Sequence, residues 1–171
     1  MIKKWIPNLL TFANLSFGIF SIISAFKHNF IFGAAFILIA ALIDRYDGRI
    51  ARLLNVSSEI GKELDSLSDL ISFGVAPSLL ILIKYAPLSN IYIIDIGFVL
   101  LYIICGAYRL ARYNTSTFNG IFTGVPITIT GSLLALFSIS TPANSIYYLV
   151  STILLVAFSY LMISKLQLKK L

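Results

Sequence analysis

Charge is scarce in this chain. Only 12% of its 171 residues are charged, against 58% hydrophobic, where an ordinary soluble domain carries about 25% charged residues. The shortage excludes a soluble globular domain, because so large an apolar surplus cannot be hidden inside one core of this size. Cysteine is nearly absent too. Cys105 is the single one, so no intrachain disulfide is possible and cysteine usage says nothing about the redox compartment. His28 is the single histidine, which leaves no His or Cys cluster to recruit zinc. A small-residue cleavage site after the first apolar run is missing as well, so that run is expected to remain as a helix and not to be removed as a signal peptide. The length supports one domain, residues 1–171, with no internal repeat or low-complexity segment.

What is present is a series of apolar runs. A spanning helix needs roughly 20 apolar residues, and the chain has room for about six. The runs fall at Leu9–Phe26, from Phe30 into the charged stretch Asp44–Leu54, and at Ile60–Ile83, Ile91–Tyr113, Val125–Ile139 and Ile146–Met162. Turn-forming residues divide them, among them Lys27-His28-Asn29, Ala86-Pro87, Asn119-Gly120 and Thr141-Pro142. The expected fold is an all-α integral membrane protein with six transmembrane helices. The net charge is +6, and the basic residues sit at the ends of the apolar runs. They therefore read as topology anchors beside anionic lipid, with no nucleic-acid partner. Six spans place Arg45, Arg49, Arg52, Lys62, Arg109, Arg112 and Lys165 on the side of both termini, and leave only Lys27 and Lys84 on the other. By the positive-inside bias the termini are cytoplasmic. Small residues such as Gly33, Ala34, Gly97 and Gly131 suit close helix contacts or a dimer.

Acid is the scarcest charge, and it is concentrated. Six of the seven acidic residues lie between positions 44 and 69. Asp44 and Asp47 are spaced i, i+3, and Asp65 and Asp69 i, i+4, so each pair occupies one face of a helix. Both pairs sit at the same end of consecutive antiparallel spans, so the two faces can meet. Four bare carboxylates at membrane depth repel one another and are costly to desolvate. Either some are protonated or divalent cations neutralise them. Four hard oxygen donors suit Mg2+, Mn2+ or Ca2+, and two such ions would clamp a pyrophosphate. Gly48 and Ala51 leave room beside the acids for a ligand, and Arg52 supplies a planar phosphate donor.

The sequence Asp44-Arg-Tyr-Asp47-Gly48-Arg-Ile-Ala51-Arg52, followed by Gly61, Asp65 and Asp69, resembles the signature of the CDP-alcohol phosphotransferase family. All eight fixed residues are present across 26 positions, and the six-run layout resembles that family over essentially the whole chain. The resemblance implies a membrane enzyme that uses two divalent cations (Mg2+ or Mn2+) to move the phosphatidyl group of CDP-diacylglycerol onto an alcohol. It implies that Asp44 and Asp65 are shared by both metals, that Asp47 completes the first site, and that Asp69 completes the second and acts as catalytic base. Asn8, Thr11, Gly48, Ala51, Arg52 and Ser58 match positions that contact the CDP-lipid. Asn8 could instead cap the first helix, Thr11 could bond back within it, and Ser58 could be an ordinary loop hydroxyl.

The catalytic motif is silent on the acceptor. The continuation Ser72-Phe-Gly-Val-Ala-Pro77, with Arg109-Leu-Ala-Arg112-Tyr-Asn114 and Phe122-Thr-Gly-Val-Pro126, is similar to the branch of the family that uses L-serine. Thr128 stands where that branch often has a second proline. Arg109 and Arg112 either hold the serine carboxylate or serve as positive anchors, and a phosphate-bearing acceptor such as glycerol 3-phosphate would use the same residues. An ether-linked CDP-lipid is the other alternative. The family resemblance also implies a homodimer in the plasma membrane, with its active site facing the cytoplasm. Buried carboxylates in a membrane protein can mark a cation or proton pathway; against this, the acids gather at one membrane end, and Asp95 is expected near the opposite face.

Overall fold

The computed structural model describes residues 5–54, 58–89, 91–115, 121–165 and 167–169. Helix α1 (Trp5–Phe26) and helix α2 (Phe30–Leu54) form an antiparallel hairpin. Pro7 falls in the first turn of α1, where the N–H it lacks has no helical acceptor to serve. The hairpin turns at His28, which adopts φ 55°, while the Asn29 N–H reaches back to the Ser24 carbonyl at 2.9 Å. That is a left-handed helix stop made without glycine.

The next 27 residues, Glu59–Tyr85, are continuously helical. They comprise α3 (Glu59–Asp69), a π-helical turn (Leu70–Val75) and α4 (Ala76–Tyr85). Pro77 accounts for much of the interruption. It has no N–H for the Phe73 carbonyl four residues back, and the Ala76 N–H bonds Ile71 instead. The Phe73 carbonyl accepts from the Tyr102 hydroxyl at 3.1 Å, and Tyr102 is also 2.9 Å from the Thr130 hydroxyl. A buried tyrosine on another helix thus replaces the donor that proline withholds.

Helices α5 (Tyr92–Thr115), α6 (Ile127–Ser140) and α7 (Ser145–Ile163) complete the bundle. Strand β1 (Ile121–Thr123) pairs antiparallel with β2 (Gln167–Lys169), Ile121 facing Lys169. This ribbon departs from a wholly helical fold, and it gives order to part of what the sequence presents as a basic tail. Gly124 follows at φ 79° and lies against the Met162 carbonyl, where any side chain would collide.

Polar groups share the interior with an apolar core, and many large aliphatics face outward. Thr11, Asn14, Ser21, Ser68, Ser72, Thr130 and Ser159 are buried, while Ile31, Ile93, Ile146 and Leu149 are exposed. Small and polar groups inside with large aliphatics outside suit packing in lipid, where close approach and interhelical hydrogen bonds hold helices together. Among the described residues, four helical stretches are long and apolar enough to cross a membrane: Pro7–Phe26, Glu59–Tyr85, Tyr92–Thr115 and Ser145–Ile163. Helix α6 has 14 residues, about 21 Å of helix, and α2 carries Asp44, Arg45 and Asp47 in its C-terminal half. The six helical runs read from the sequence are all present, with limits shifted by a few residues.

Candidate active site

The site is built where the C-terminal half of α2 meets α3. Asp44 and Asp47 project from α2, Asp65 and Asp69 from α3, as the i, i+3 and i, i+4 spacings require. Asp44, Asp47 and Asp65 each offer a carboxylate oxygen, and these three oxygens lie within 4.8 Å of one another. Asp65 Oδ1 is buried and has no hydrogen-bond partner among the described residues. Three converging hard oxygens, with an unsatisfied carboxylate oxygen on Asp65, fit a divalent cation such as Mg2+ or Mn2+. Asp69, one turn on from Asp65, stands beside this trio and within electrostatic reach of Asp44 and Asp65.

Helix α1 closes one side. Thr11 Oγ1 donates to the Pro7 carbonyl at 3.1 Å and lies 3.4 Å from Asp47 Oδ2, so it both bonds back within its helix and reaches the acidic cluster. Asn14, fully buried, donates from Nδ2 to Asp69 Oδ1 at 3.3 Å. The helix is held there by two serines of the opposite segment. Ser68 Oγ donates to the Thr11 carbonyl and Ser72 Oγ to the Asn14 carbonyl, each at 3.0 Å. Gly18 permits this approach, since a Cβ there would sit 2.9 Å from Ser72 Cα.

The other proposed CDP-lipid contacts divide. Asn8 is not the cap of α1, which begins three residues earlier at Trp5. Its Oδ1 lies 3.3 Å from the position a Cβ would take on Gly61, beside Ser58. Ser58 is the N-cap of α3, accepting from the Gly61 N–H at 3.0 Å, a structural role beyond the lipid contact or ordinary loop hydroxyl expected there. Gly48, Ala51 and Arg52 lie on α2, and their side chains fall outside the described residues.

Helix α6 closes the far side. Thr128, in its first turn, is 3.5 Å from Asp44 Oδ2 through its hydroxyl. The residue that marks a departure from the serine-using pattern thus stands at the acidic cluster. Neither Asn14 nor Thr128 stands out in the sequence as a site residue; the signal for Asn14 is its i, i+3 spacing from Thr11 on the face of α1 that meets α3.

The two arginines of α5 separate. Arg109 is buried, with Nε lacking a hydrogen-bond partner among the described residues, and it lies within electrostatic reach of Asp69. Arg112 donates to the Ile163 carbonyl at 3.2 Å, a cation at the C-terminus of α7. The end of α5 is stapled to α3: Asn114 Nδ2 donates to Glu63 and Ser66 at 3.1 and 3.0 Å, and Lys62 donates to the Asn114 carbonyl at 3.1 Å. That staple holds Arg109 beside the aspartates.

A helical membrane bundle with a carboxylate centre at one end defines a class: integral membrane proteins equipped to bind a divalent cation. The chain belongs to the CDP-alcohol phosphatidyltransferase family, whose model matches residues 4–166. It is 37% identical over 166 residues to a protein of Bacillus subtilis named CDP-diacylglycerol--serine O-phosphatidyltransferase, covering 96% of this chain and 89% of that one. A Helicobacter pylori protein of the same name is 40% identical over 134 residues, which cover 76% of this chain and 55% of the relative. An archaetidylserine synthase of Methanothermobacter thermautotrophicus is 34% identical over 166 residues, 95% of this chain and 68% of the relative.

Proposed function

We propose that this protein transfers the phosphatidyl group of CDP-diacylglycerol to the hydroxyl of L-serine, giving phosphatidylserine and CMP. The observation that carries the chemistry is the meeting of Asp44, Asp47 and Asp65 within 4.8 Å, with Asp69 alongside. Serine as the acceptor is supported by the names of the relatives and by the serine-branch segments, which supply Ser72 of the α1 contact, Arg109 and Asn114.

Asp44 and Asp65 are read as shared by two cations, Asp47 as completing the first site and Asp69 the second. Mg2+ or Mn2+ held there would neutralise charge on the phosphates and on departing CMP. An alcohol is a poor nucleophile near neutral pH, so a carboxylate must take its proton. Asp69 is read as that base, and the hydrogen bond by which Asn14 holds one of its oxygens supports the reading. The serine oxygen attacks the lipid-side phosphorus in line, the bond to the CMP oxygen breaks, and the electron pair leaves with CMP. No covalent enzyme intermediate is formed. Asn8 and Thr11 border the nucleotide, with Gly48, Ala51, Arg52 and Ser58 on the CDP-lipid path; Arg109 faces the acceptor carboxylate, while Arg112, expected beside it, serves as an anchor at the end of α7. Six spans with cytoplasmic termini would put the site on the cytoplasmic face of the plasma membrane, where serine is available, and the family resemblance favours a homodimer. The archaeal relative supports a second reading of the donor, in which the lipid tails are ether-linked while the acceptor is still serine.

The test is CMP release by the detergent-solubilised protein with CDP-diacylglycerol, offering labelled serine or labelled glycerol 3-phosphate, with and without Mn2+ or Mg2+. Label from serine should enter lipid only when the metal is present. Incorporation of glycerol 3-phosphate in place of serine would overturn the acceptor assignment and keep the chemistry.

A further inference from the structure

Two buried polar groups beside Asp69 are unsatisfied in opposite senses. Asn14 gives its Nδ2 to Asp69 at 3.3 Å, and its Oδ1, completely buried, has no donor among the described residues. Arg109 Nε, also buried, has no acceptor among them. Burying an unpaired polar atom is unfavourable, and the loss is recovered if a ligand completes the pair. Asn14, bonded to Asp69, thus offers a lone acceptor on α1, and Arg109 a buried donor on α5 within electrostatic reach of the same carboxyl. A free amino acid carries the complementary groups, an ammonium that only donates and a carboxylate that only accepts.

We propose that Asn14 and Arg109 are the two poles of the acceptor site, Asn14 Oδ1 accepting from the ammonium of the amino-acid alcohol while Arg109 meets its carboxylate. The inference rests on the serine reading above and goes beyond it by assigning Asn14. In this role Asn14 selects the acceptor as well as positioning Asp69. With the ammonium and carboxylate held at opposite poles, the side-chain hydroxyl is left to face Asp69. An acceptor lacking the ammonium leaves Asn14 Oδ1 without a charged donor, and one lacking the carboxylate leaves Arg109 unmet.

The experiment compares serine with 3-hydroxypropionate, which lacks the ammonium, and with ethanolamine, which lacks the carboxylate. CMP release is followed with CDP-diacylglycerol and Mn2+. In the unmodified protein each truncated acceptor should lose about 10- to 100-fold in kcat/KM relative to serine, as expected for one hydrogen bond to a charged group. Asn14→Ala should collapse the ratio of serine to 3-hydroxypropionate toward unity while preserving the ratio of serine to ethanolamine. Arg109→Gln should do the converse. The ratios cancel any general weakening of Asp69, which lowers turnover for every acceptor alike. An Asn14→Ala protein that loses activity equally with serine and 3-hydroxypropionate would overturn the selective role. If that variant does not fold, the unmodified protein decides by itself, since equal use of serine and 3-hydroxypropionate overturns the inference while leaving serine transfer intact. Failure of serine itself to support CMP release would overturn the underlying reading as well.

Discussion

The two polar ends of this bundle differ in how many acidic charges they gather. At one end a single carboxylate, Asp95, buried on α5, accepts from the Tyr148 hydroxyl at 2.8 Å through Oδ1, its Oδ2 having no partner among the described residues, and that hydroxyl is also 3.2 Å from Ser89. Nearby, Lys84 donates to the Ser138 and Thr141 carbonyls at the end of α6, and Tyr85 lies 2.5 Å from the Thr141 hydroxyl. These contacts join α4, α5, α6 and α7 through partners supplied by the chain. At the other end four aspartates gather, and among the described residues Thr11, Asn14 and Thr128 approach three of them at 3.3–3.5 Å. A buried carboxylate with a short internal partner serves as a staple. Three converging carboxylates, with Asp65 Oδ1 lacking a hydrogen-bond partner among the described residues, suit neutralisation by a cation.

The comparison can be broken in four places. Removing divalent metal with EDTA should abolish serine-dependent CMP release, and Mn2+ or Mg2+ should restore it; activity that survives chelation would mean the cluster is balanced internally. Asp69→Asn should lower kcat by roughly 100- to 10,000-fold, the usual worth of a general base, while CDP-lipid binding measured by equilibrium dialysis changes little. Near-normal turnover would remove Asp69 from the base role. At the opposite end, Tyr148→Phe leaves Asp95 short of its donor and should cost about 1–3 kcal/mol of stability. It should appear as a lower melting temperature with unchanged specific activity of the folded protein. A fall in kcat without a thermal shift would show that Asp95 is more than a staple. The smallest effect belongs to Thr128→Ala, which should raise the Mn2+ concentration for half-maximal activity about 2- to 5-fold, a modest share of one neutral hydrogen bond. An unchanged metal requirement would make its 3.5 Å approach to Asp44 incidental.

Much of the helix layout was legible because lipid imposes a simple rule on sequence: long apolar runs separated by turn residues. The third run, read as Ile60–Ile83, spans Glu59–Tyr85, and the fourth, read as Ile91–Tyr113, spans Tyr92–Thr115. The π-turn at Leu70–Val75 was not read, although Pro77 signals it, because the replacement donor for Phe73 comes from Tyr102, 29 residues further on. The ribbon of β1 with β2 was missed for a similar reason: two three-residue segments far apart in the chain carry no periodic pattern of their own. Asn14 looked like one polar residue in an apolar run, and only its placement against Asp69 gives it a role.

The sequence by itself determined that the chain is a membrane helical protein and that its aspartates form two pairs, each on one helix face, because apolar length and the 3.6-residue helical repeat are local properties. The tertiary structure decided which faces meet and which aspartate stands apart. The rotation of each helix about its axis is set by contacts between distant residues, as Gly18 takes the Ser72 backbone and Gly131 that of Phe73, where a Cβ would sit 2.6 Å from the carbonyl oxygen. Those close approaches turn Asn14 toward Asp69 and bring Thr128 to Asp44, and no spacing within a single helix encodes them.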